Sequence, residues 1–401
     1  MGEVATDGGV WPLEQFRGRF GEPTGRVLLV TAPGRTEIAG NHTDHEGGTV
    51  VAGAVRRYVQ GVFAPRADGL LRVASEGFDP IEVDLSELDA RVGERDSSAA
   101  LVRGLAAGMA RAGVRPACGF DAYLTSGVAV GSGLSSSAAF ELALAQAMNG
   151  LWAEGSLDAV RLAGLAQAAE RDYFGKPCGL MDQMAVALGG IARMDFSCAG
   201  CPDVTRLDYD FADDGFALCL VSVGADHSAN TADYAAVPQE MQAVARAFGR
   251  EVLSEVSESD LLHRLGEVRA SLGDRATLRA LHYFREERLV EARFRALEAH
   301  DMAAFLEATT LSGASSAMYL QNVSIGGSAE QPAMVALAVA EELLGGRGAA
   351  RIHGGGFGGT IQAFVRTDEA DEFCRAMDEA LGGEVAEVLA IDPEGARFAW
   401  A

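Results

Sequence analysis

The sequence predicts an α+β fold rather than a doubly wound parallel sheet, and three observations carry that prediction. β-Branched segments cluster near the start, helical patterns fill long stretches after them, and isolated strands follow with few regular strand–helix–strand units. The 401 residues suffice for one large or two ordinary domains, each with its own core. Apolar residues make up 48% of the chain and mean hydropathy is +0.09, values of a folded chain rather than a disordered one.

Residues 26–31 (RVLLVT) and 49–64 (TVVAGAVRRYVQGVFA) are β-branched runs, and 70–75 (LLRVAS) and 81–85 (IEVDL) read as further antiparallel strands. Residues 99–113 have helical spacing and stop at Gly113. Residues 120–127 (FDAYLTSG) alternate like a half-buried strand. A helix rich in Ala and Leu spans 135–151 and opens with serines, and another covers about 156–172 with Glu170 near its end. The polar, turn-rich stretch CAGCPDVTRLDYDFADDG marks a boundary near 200–212, and FADDGFALCLVSV (211–223) opens the second half. Helical patterns continue to about 345. A glycine-rich segment then interrupts them, and IQAFV (361–365) reads as a strand. No internal repeat or low-complexity tract is present.

A net charge of −24 argues against nucleic-acid and acidic-membrane surfaces, which need basic patches. A bound polyanion would have to find positive potential locally, from backbone N–H groups, a helix N-terminus, a metal ion or a few arginines. Lys176 is the only lysine. No GxxxxGK[ST] loop exists, and no early-strand lysine supplies a protein-kinase layout. The six cysteines are scattered, so reduced thiols in a cytoplasmic protein are expected. Cys198 and Cys201 form a CxxC with no second pair to complete a metal site. The N-terminus lacks a basic region followed by an apolar one, and the longest apolar run, 216–223, is only strand-length.

Four segments carry chemistry. VGSGLSSSAA (130–139) joins a strand to a helix: its glycines permit close backbone approach, and its serines put N–H and O–H groups at a helix N-terminus, where phosphate is stabilised. An ordinary capped helix is the plainer alternative, but four serines and two glycines exceed what capping needs. HGGGFGG (353–359) holds a formal GxGxxG at Gly354, Gly356 and Gly359, yet a strand follows it where a dinucleotide fingerprint would open a helix. A hairpin turn or a backbone pressed against a ligand remain. APGRTEIAGNHTDHEGG (32–48) concentrates Arg35, Glu37, Asn41, His42, Asp44, His45 and Glu46 in a glycine-punctuated loop suited to a polyol. A metal held by His42, Asp44, His45 and Glu46, or a merely solvated loop, competes with that reading. CGLMDQMA (178–185) sets Asp182 among apolar neighbours, where a carboxylate needs a partner. Alone it would be a helix cap or an ion pair; beside the other segments it reads as a base.

Assembled in this order, the segments resemble the GHMP small-molecule kinases, and among them the galactokinase branch, over nearly the whole chain. APGR…I.GNHTDH.GG is similar to the branch signature GRxNxIGEHTDYxxG, GLSSSAA to the superfamily phosphate loop, PCGLMDQ to the catalytic-aspartate segment and GGGFGG to the third motif. The resemblance implies two α/β lobes with the active site between them: a ribosomal-S5-like domain over 1–205 and a second over 206–401. It implies that Gly131, Gly133, Ser135, Ser136 and Ser137, with Gly355 and Gly356, hold the phosphates of ATP, and that Ser137 and Glu170 face Mg²⁺. Asp182 would take the proton of a sugar's anomeric hydroxyl beside Arg35, with Asn41, His42, Asp44, Gly179 and Tyr234 around the sugar.

Three departures concern the sugar shell. Asn41 stands for a glutamate and His45 for a tyrosine, Glu37 stands for an asparagine, and Tyr234 lacks the arginines that usually follow it. An amide at 41, expected near the sugar's C6, would tolerate a carboxylate there, as in galacturonate. The expected activity is a sugar-1-kinase, most simply on galactose. A sugar and ATP sensor is the alternative from another class, and mevalonate or homoserine kinases are disfavoured by NHTDH. The expected partners are a small sugar and a nucleotide, with no nucleic acid or membrane, in a monomer or weak homodimer.

Overall fold

The computed structural model describes residues 11–176, 178–198, 200–223 and 231–401. Residues 1–10, where the sequence reading finds no leader pattern, lie outside them, as do Ala229 and Asn230 ahead of Tyr234.

Two sheets organise the described chain. Helix α1 (Leu13–Phe20) precedes β1 (Leu28–Ala39), β2 (Thr49–Arg66), β3 (Leu70–Ser75), β4 (Ile81–Asp84), α2 (Ser98–Arg111) and β5 (Gly119–Ser126). These strands lie in the order β1-β2-β5-β3-β4, antiparallel except for β3 against β5. Helices α3 (Ser136–Trp152), α4 (Ala159–Ala168) and α5 (Met181–Leu188) follow, then β6 (Ile191–Asp195), which pairs with β2, and β7 (Asp203–Leu207), which pairs with β6. The second sheet has the antiparallel order β11-β8-β10-β9, from β8 (Phe216–Ser222), β9 (Ala349–Ile352), β10 (Thr360–Arg366) and β11 (Ala386–Leu389). Between β8 and β9 come α6 (Thr231–Ala247), α7 (Glu258–His263), α8 (Leu265–Glu298, bent at Gly273), α9 (Met302–Ser315) and α10 (Pro332–Leu344); α11 (Ala370–Leu381) follows β10. The last strand, β12 (Arg397–Trp400), returns to the first sheet beside β1, with Trp400 opposite Leu28.

The architecture is the mixed α+β one that the sequence predicts, with three differences. The expected division at residue 205 falls inside β7, and β12 completes the first sheet, so a cut at 205 does not part the two sheets. The first motif is not simply a loop: β1 runs on through PGRTEIA, with all twelve residues buried. Arg35, Thr36 and Glu37 are tolerated in that strand because each finds a partner: half-buried Asp182, and buried His353 and Arg351. The expected helix over 156–172 resolves into α4 and a π-helical turn, Ala169–Phe174, which turns Glu170 inward to 4% exposure.

One core runs from the inner faces of β1, β2 and β5 through α3 and α5 into the second sheet. Phe211, Phe305 of α9 and Phe364 of β10 close its far end, with ring centroids 4.7 to 5.7 Å apart. Removing the central ring by Phe364→Ala is expected to cost about 3–5 kcal/mol of stability in denaturant unfolding, from lost burial plus the cavity left behind. A loss under about 1 kcal/mol would show that the two halves do not depend on this contact.

Candidate active site

The chain leaves β5 and enters the glycine–serine loop, which lines a cleft of about 440 Å³ together with the β9–β10 connection. Gly131, Gly133, Ser135, Ser136 and Ser137 stand on one side; His353 to Gly356 and Thr360 stand on the other. Helix α3 begins at Ser136, so its first-turn N–H groups lie at this cleft. Ser135 does not cap the helix. It sits in the left-handed region at φ 55°, ψ 61°, an uncommon conformation for a serine, and its hydroxyl donates to Asp182 Oδ2 instead. The HGGGFGG segment is the connection of the antiparallel pair β9 and β10, one of the two readings its sequence allowed, and it lines the cleft.

Asp182 lies in the first turn of α5 and does not cap it; its partner is Arg35 of β1. Arg35 Nε donates to Oδ1 at 2.6 Å and Nη2 to Oδ2 at 2.9 Å, a bidentate fork, while Nη1 donates to the carbonyl of Gly133. Burial acts to raise the Asp182 pKa. The Arg35 charge and hydrogen bonds, the Ser135 hydroxyl and Lys176 outweigh it and hold the carboxyl below its ordinary range. The side chain still keeps 32% of its surface open, so it can meet a substrate.

A smaller cavity of about 70 Å³ opens on the other side of this pair, lined by Arg35, Glu37, His42, Asp44, Gly179 and Asp182 among others. Tyr234 from α6 and Gly355 from the β9–β10 connection close it. A Cβ on Gly179 would fall 1.9 Å from Asp44 Oδ2, and one on Gly355 would fall 2.1 Å from the Tyr234 ring, so both glycines are required by close approach. His42 Nε2 donates to the Gly355 carbonyl at 2.7 Å, which fixes its tautomer. Burial, then His45, hold its pKa near about 3, so the ring is neutral. Its Nδ1, an acceptor in that tautomer, has no hydrogen-bond partner among the described residues.

Asn41 requires a correction. It lines neither cavity and is fully buried. Its amide nitrogen donates to the Gly354 carbonyl and to Glu37 Oε1 (3.2 Å), and its oxygen accepts from Asn322 Nδ2 at 2.7 Å. It ties the first motif to the third rather than reaching a ligand, and the argument from Asn41 to a C6 carboxylate loses its basis. Glu46 also turns away: it accepts from the Leu253 N–H at 3.1 Å, and burial pushes its pKa up to about 8. The metal reading of 42–46 loses Glu46, which is committed to Leu253. Among the described residues no group of three or more His, Cys, Asp or Glu side chains is placed to hold an ion.

Glu170 lines the small cavity and Ser137 the larger cleft. Glu170 accepts from Lys176 Nζ at 3.1 Å and from Gln183 Nε2 at 2.8 Å, and Gln183 also donates to Glu141 at 3.2 Å. Burial, then the charge of Glu170, raise Glu141 well above an ordinary glutamate. The sequence reading missed this support under Asp182, and it missed His353 and Lys176 at the cleft. The uniqueness of Lys176 in the composition was a usable signal. Nothing in the sequence marks His353 beyond its place before three glycines.

This arrangement, a phosphate-loop cleft and a polyol cavity joined by an Arg–Asp pair, agrees with what the chain is similar to. Residues 99–190 match the GHMP kinases N terminal domain, and residues 14–65 match the galactokinase galactose-binding signature. The crystal structure of Lactococcus lactis galactokinase complexed with galactose shares the fold at a TM-score of 0.82 and 23% identity, over 96% of this chain and 98% of that one. A mevalonate kinase structure follows at 0.64 and 13% identity, over 91% of this chain and 99% of its own. The chain is a GHMP kinase. The galactokinase of Streptomyces coelicolor is 33% identical over 92% of this chain and 91% of its own length; the human galactokinase is 30% identical over 95% and 94%. Within the superfamily the chain belongs to the galactokinase family.

The position of Asn41 yields a test. Asn41→Asp turns the group facing Gly354 O and Glu37 into an anion with no donor, and it should lower stability by about 3 kcal/mol. Thermal and denaturant unfolding would measure this. An unchanged stability would return Asn41 to the sugar shell.

Proposed function

We propose that the protein transfers the γ-phosphoryl group of ATP to the anomeric hydroxyl of galactose, giving galactose 1-phosphate and ADP. The observation that carries this reading is that Arg35 and Asp182 line the nucleotide cleft and the sugar cavity at once. Only there can one carboxylate meet a sugar hydroxyl in line with a phosphate.

The steps follow from the residues. The sugar sits against Asp44, His42 and Tyr234 with its anomeric hydroxyl on Asp182. As the hydroxyl oxygen forms its bond to the γ-phosphorus, its proton passes to Asp182, the bond from phosphorus to the β,γ-bridging oxygen breaks, and ADP leaves with the electron pair. Arg35 keeps Asp182 ionised and oriented, and Ser135 holds the same carboxylate from the loop side. The α3 N-terminus and the loop N–H groups hold the phosphates. The hydroxyl of Ser137 and the carboxylate of Glu170 are the hard oxygen donors that Mg²⁺ takes, so these residues would hold it, and the ion would neutralise phosphate charge.

A sensor that binds both ligands needs no base, so the Arg35–Asp182 pair favours an enzyme. No described helix is long and apolar enough to cross a membrane, and the cysteines are free; we place the protein in the cytoplasm on the second observation.

The deciding measurement is ADP release over a panel of hexoses that includes galactose and galacturonate. Turnover should be greatest with galactose, and Asp182→Asn should reduce kcat about 10³-fold or more while nucleotide still binds. Binding of both ligands without turnover on any sugar would replace the kinase by the sensor.

The depressed Asp182 pKa sets the pH dependence. Its carboxylate persists above that pKa, so the acid limb of kcat/KM should lie below the ordinary carboxylate range. Arg35→Met removes the largest interactions opposing burial and should move that limb upward. A limb that stays in place would show that another group sets it.

A further inference from the structure

We propose that the ε-ammonium of Lys176 engages the terminal phosphate of the bound nucleotide and neutralises charge on the phosphoryl group as it is transferred. This rests on the kinase reading above and adds a catalytic residue to it.

Lys176 is the only lysine in the 401 residues, and it stands where the two cavities meet: it lines both the nucleotide cleft and the sugar cavity. Among the described residues lining the nucleotide cleft, Arg35 and Lys176 carry the permanent positive charges. Arg35 is committed, with Nε and Nη2 on Asp182 and Nη1 on the Gly133 carbonyl. Turning it toward phosphate would release the base. Lys176 is held differently. Its backbone is anchored, since its N–H donates to the Glu170 carbonyl at 3.2 Å. Its ammonium contacts Glu170 Oε1 at 3.1 Å, while the side chain remains 54% exposed. An ammonium has three donors on a flexible four-carbon stem, so it can turn from a carboxylate to a phosphate at little cost.

The electrostatics call for such a group. The chain carries −24, Asp182 lines the cleft, and Glu170 lines the cavity beside it. A polyanion entering there meets carboxylates first. Phosphoryl transfer spreads charge over the equatorial oxygens, and a cation that can follow those oxygens stabilises the transition state more than the ground state.

A single lysine makes the test direct, because amine acylation can report only Lys176 and the N-terminal amine. The wild-type chain is acylated with an amine-reactive ester alone, with ATP, or with saturating adenosine, and each site is followed by mass spectrometry. At about ten times its Kd, ATP should slow acylation of Lys176 about tenfold by mass action, leave the N-terminal amine unchanged, and have no counterpart with adenosine. Lys176→Met should lower kcat about 100-fold with the KM for galactose unchanged, and Lys176→Arg should restore part of the loss. A merely structural pairing with Glu170 would give neither the phosphate-dependent protection nor that kcat-against-KM split. Nucleotide bound by equilibrium dialysis while Lys176 acylates at its free rate overturns this proposal alone. Full kcat in a folded Lys176→Met does the same. Absence of any nucleotide binding overturns the kinase reading and this proposal with it. The labelling arm uses the unmodified chain, so it decides the matter even where the Met variant misfolds.

Discussion

One guanidinium holds the site together. Arg35 bonds through its backbone N–H to Leu134, through Nη1 to Gly133, and through Nε and Nη2 to Asp182. The loop lies 98 residues and Asp182 147 residues along the chain from Arg35, yet both are set by one planar fork, whose geometry leaves little freedom to the carboxylate it grips. Without that fork, only the Ser135 hydroxyl and Lys176 would oppose burial at Asp182, and its pKa would rise. The continuation of β1 as a fully buried strand to Ala39 is thus a requirement of the chemistry, since it carries Arg35 to the place where the loop and α5 converge.

Behind the site lies a buried polar layer that fixes this strand against the helices of the second half. Glu37 pairs with Arg351 at 3.2 Å, and Glu286 lies 3.8 Å from Arg293. Glu286 also accepts from Ser312 at 2.7 Å, while Arg293 donates to the Ile38 carbonyl. His282, kept neutral by burial, bridges Ser315 and the Asn41 carbonyl. Ions this deep are costly to desolvate, and removing one partner leaves the other stranded. Such a layer adds little net stability but admits few alternative arrangements, which suits a wall that must hold β1, the first motif and the β9–β10 connection in register. Asn41 belongs to this layer, which explains why an amide there need not bear on the sugar.

The sequence was informative where local rules act and silent where the third dimension decides. β2, β3, β5, α2 and α3 follow from β-branched runs, alternation and helical spacing, and their ends agree to within a residue or two. β1 was cut short because Arg35, Thr36 and Glu37 break the apolar run, and no local rule announces that each has a partner. β12 is four residues long and pairs across the whole chain, so it carries no periodic signal. In the site, the segments that converge were legible as chemistry, because phosphate and polyol binding demand unusual local composition. The split between ligand-facing and inward-facing groups was not: Asn41, His42, Asp44 and Glu46 look alike as a string, yet only His42 and Asp44 line the sugar cavity. The fold of a loop, not its residue types, decides which side chains it spends on itself.

The same fork limits what Asp182 can do. A carboxylate held below its ordinary pKa is always ionised at neutral pH, but it is a weak base toward a sugar hydroxyl. The proton cannot leave early at such a site. It moves only as the new oxygen–phosphorus bond drains charge from the hydroxyl oxygen, which is the order a loose, metaphosphate-like transition state favours. Rate must then come from alignment and from neutralising the phosphoryl group, and the structure is built accordingly. Arg35 and Ser135 fix the carboxylate, and Gly179 and Gly355 are bare so that Asp44 and Tyr234 can press in; in the proposed reaction the glycine–serine turn and the α3 N-terminus hold the phosphates. Basicity is given up for position, and position is what an in-line transfer between two small ligands needs most.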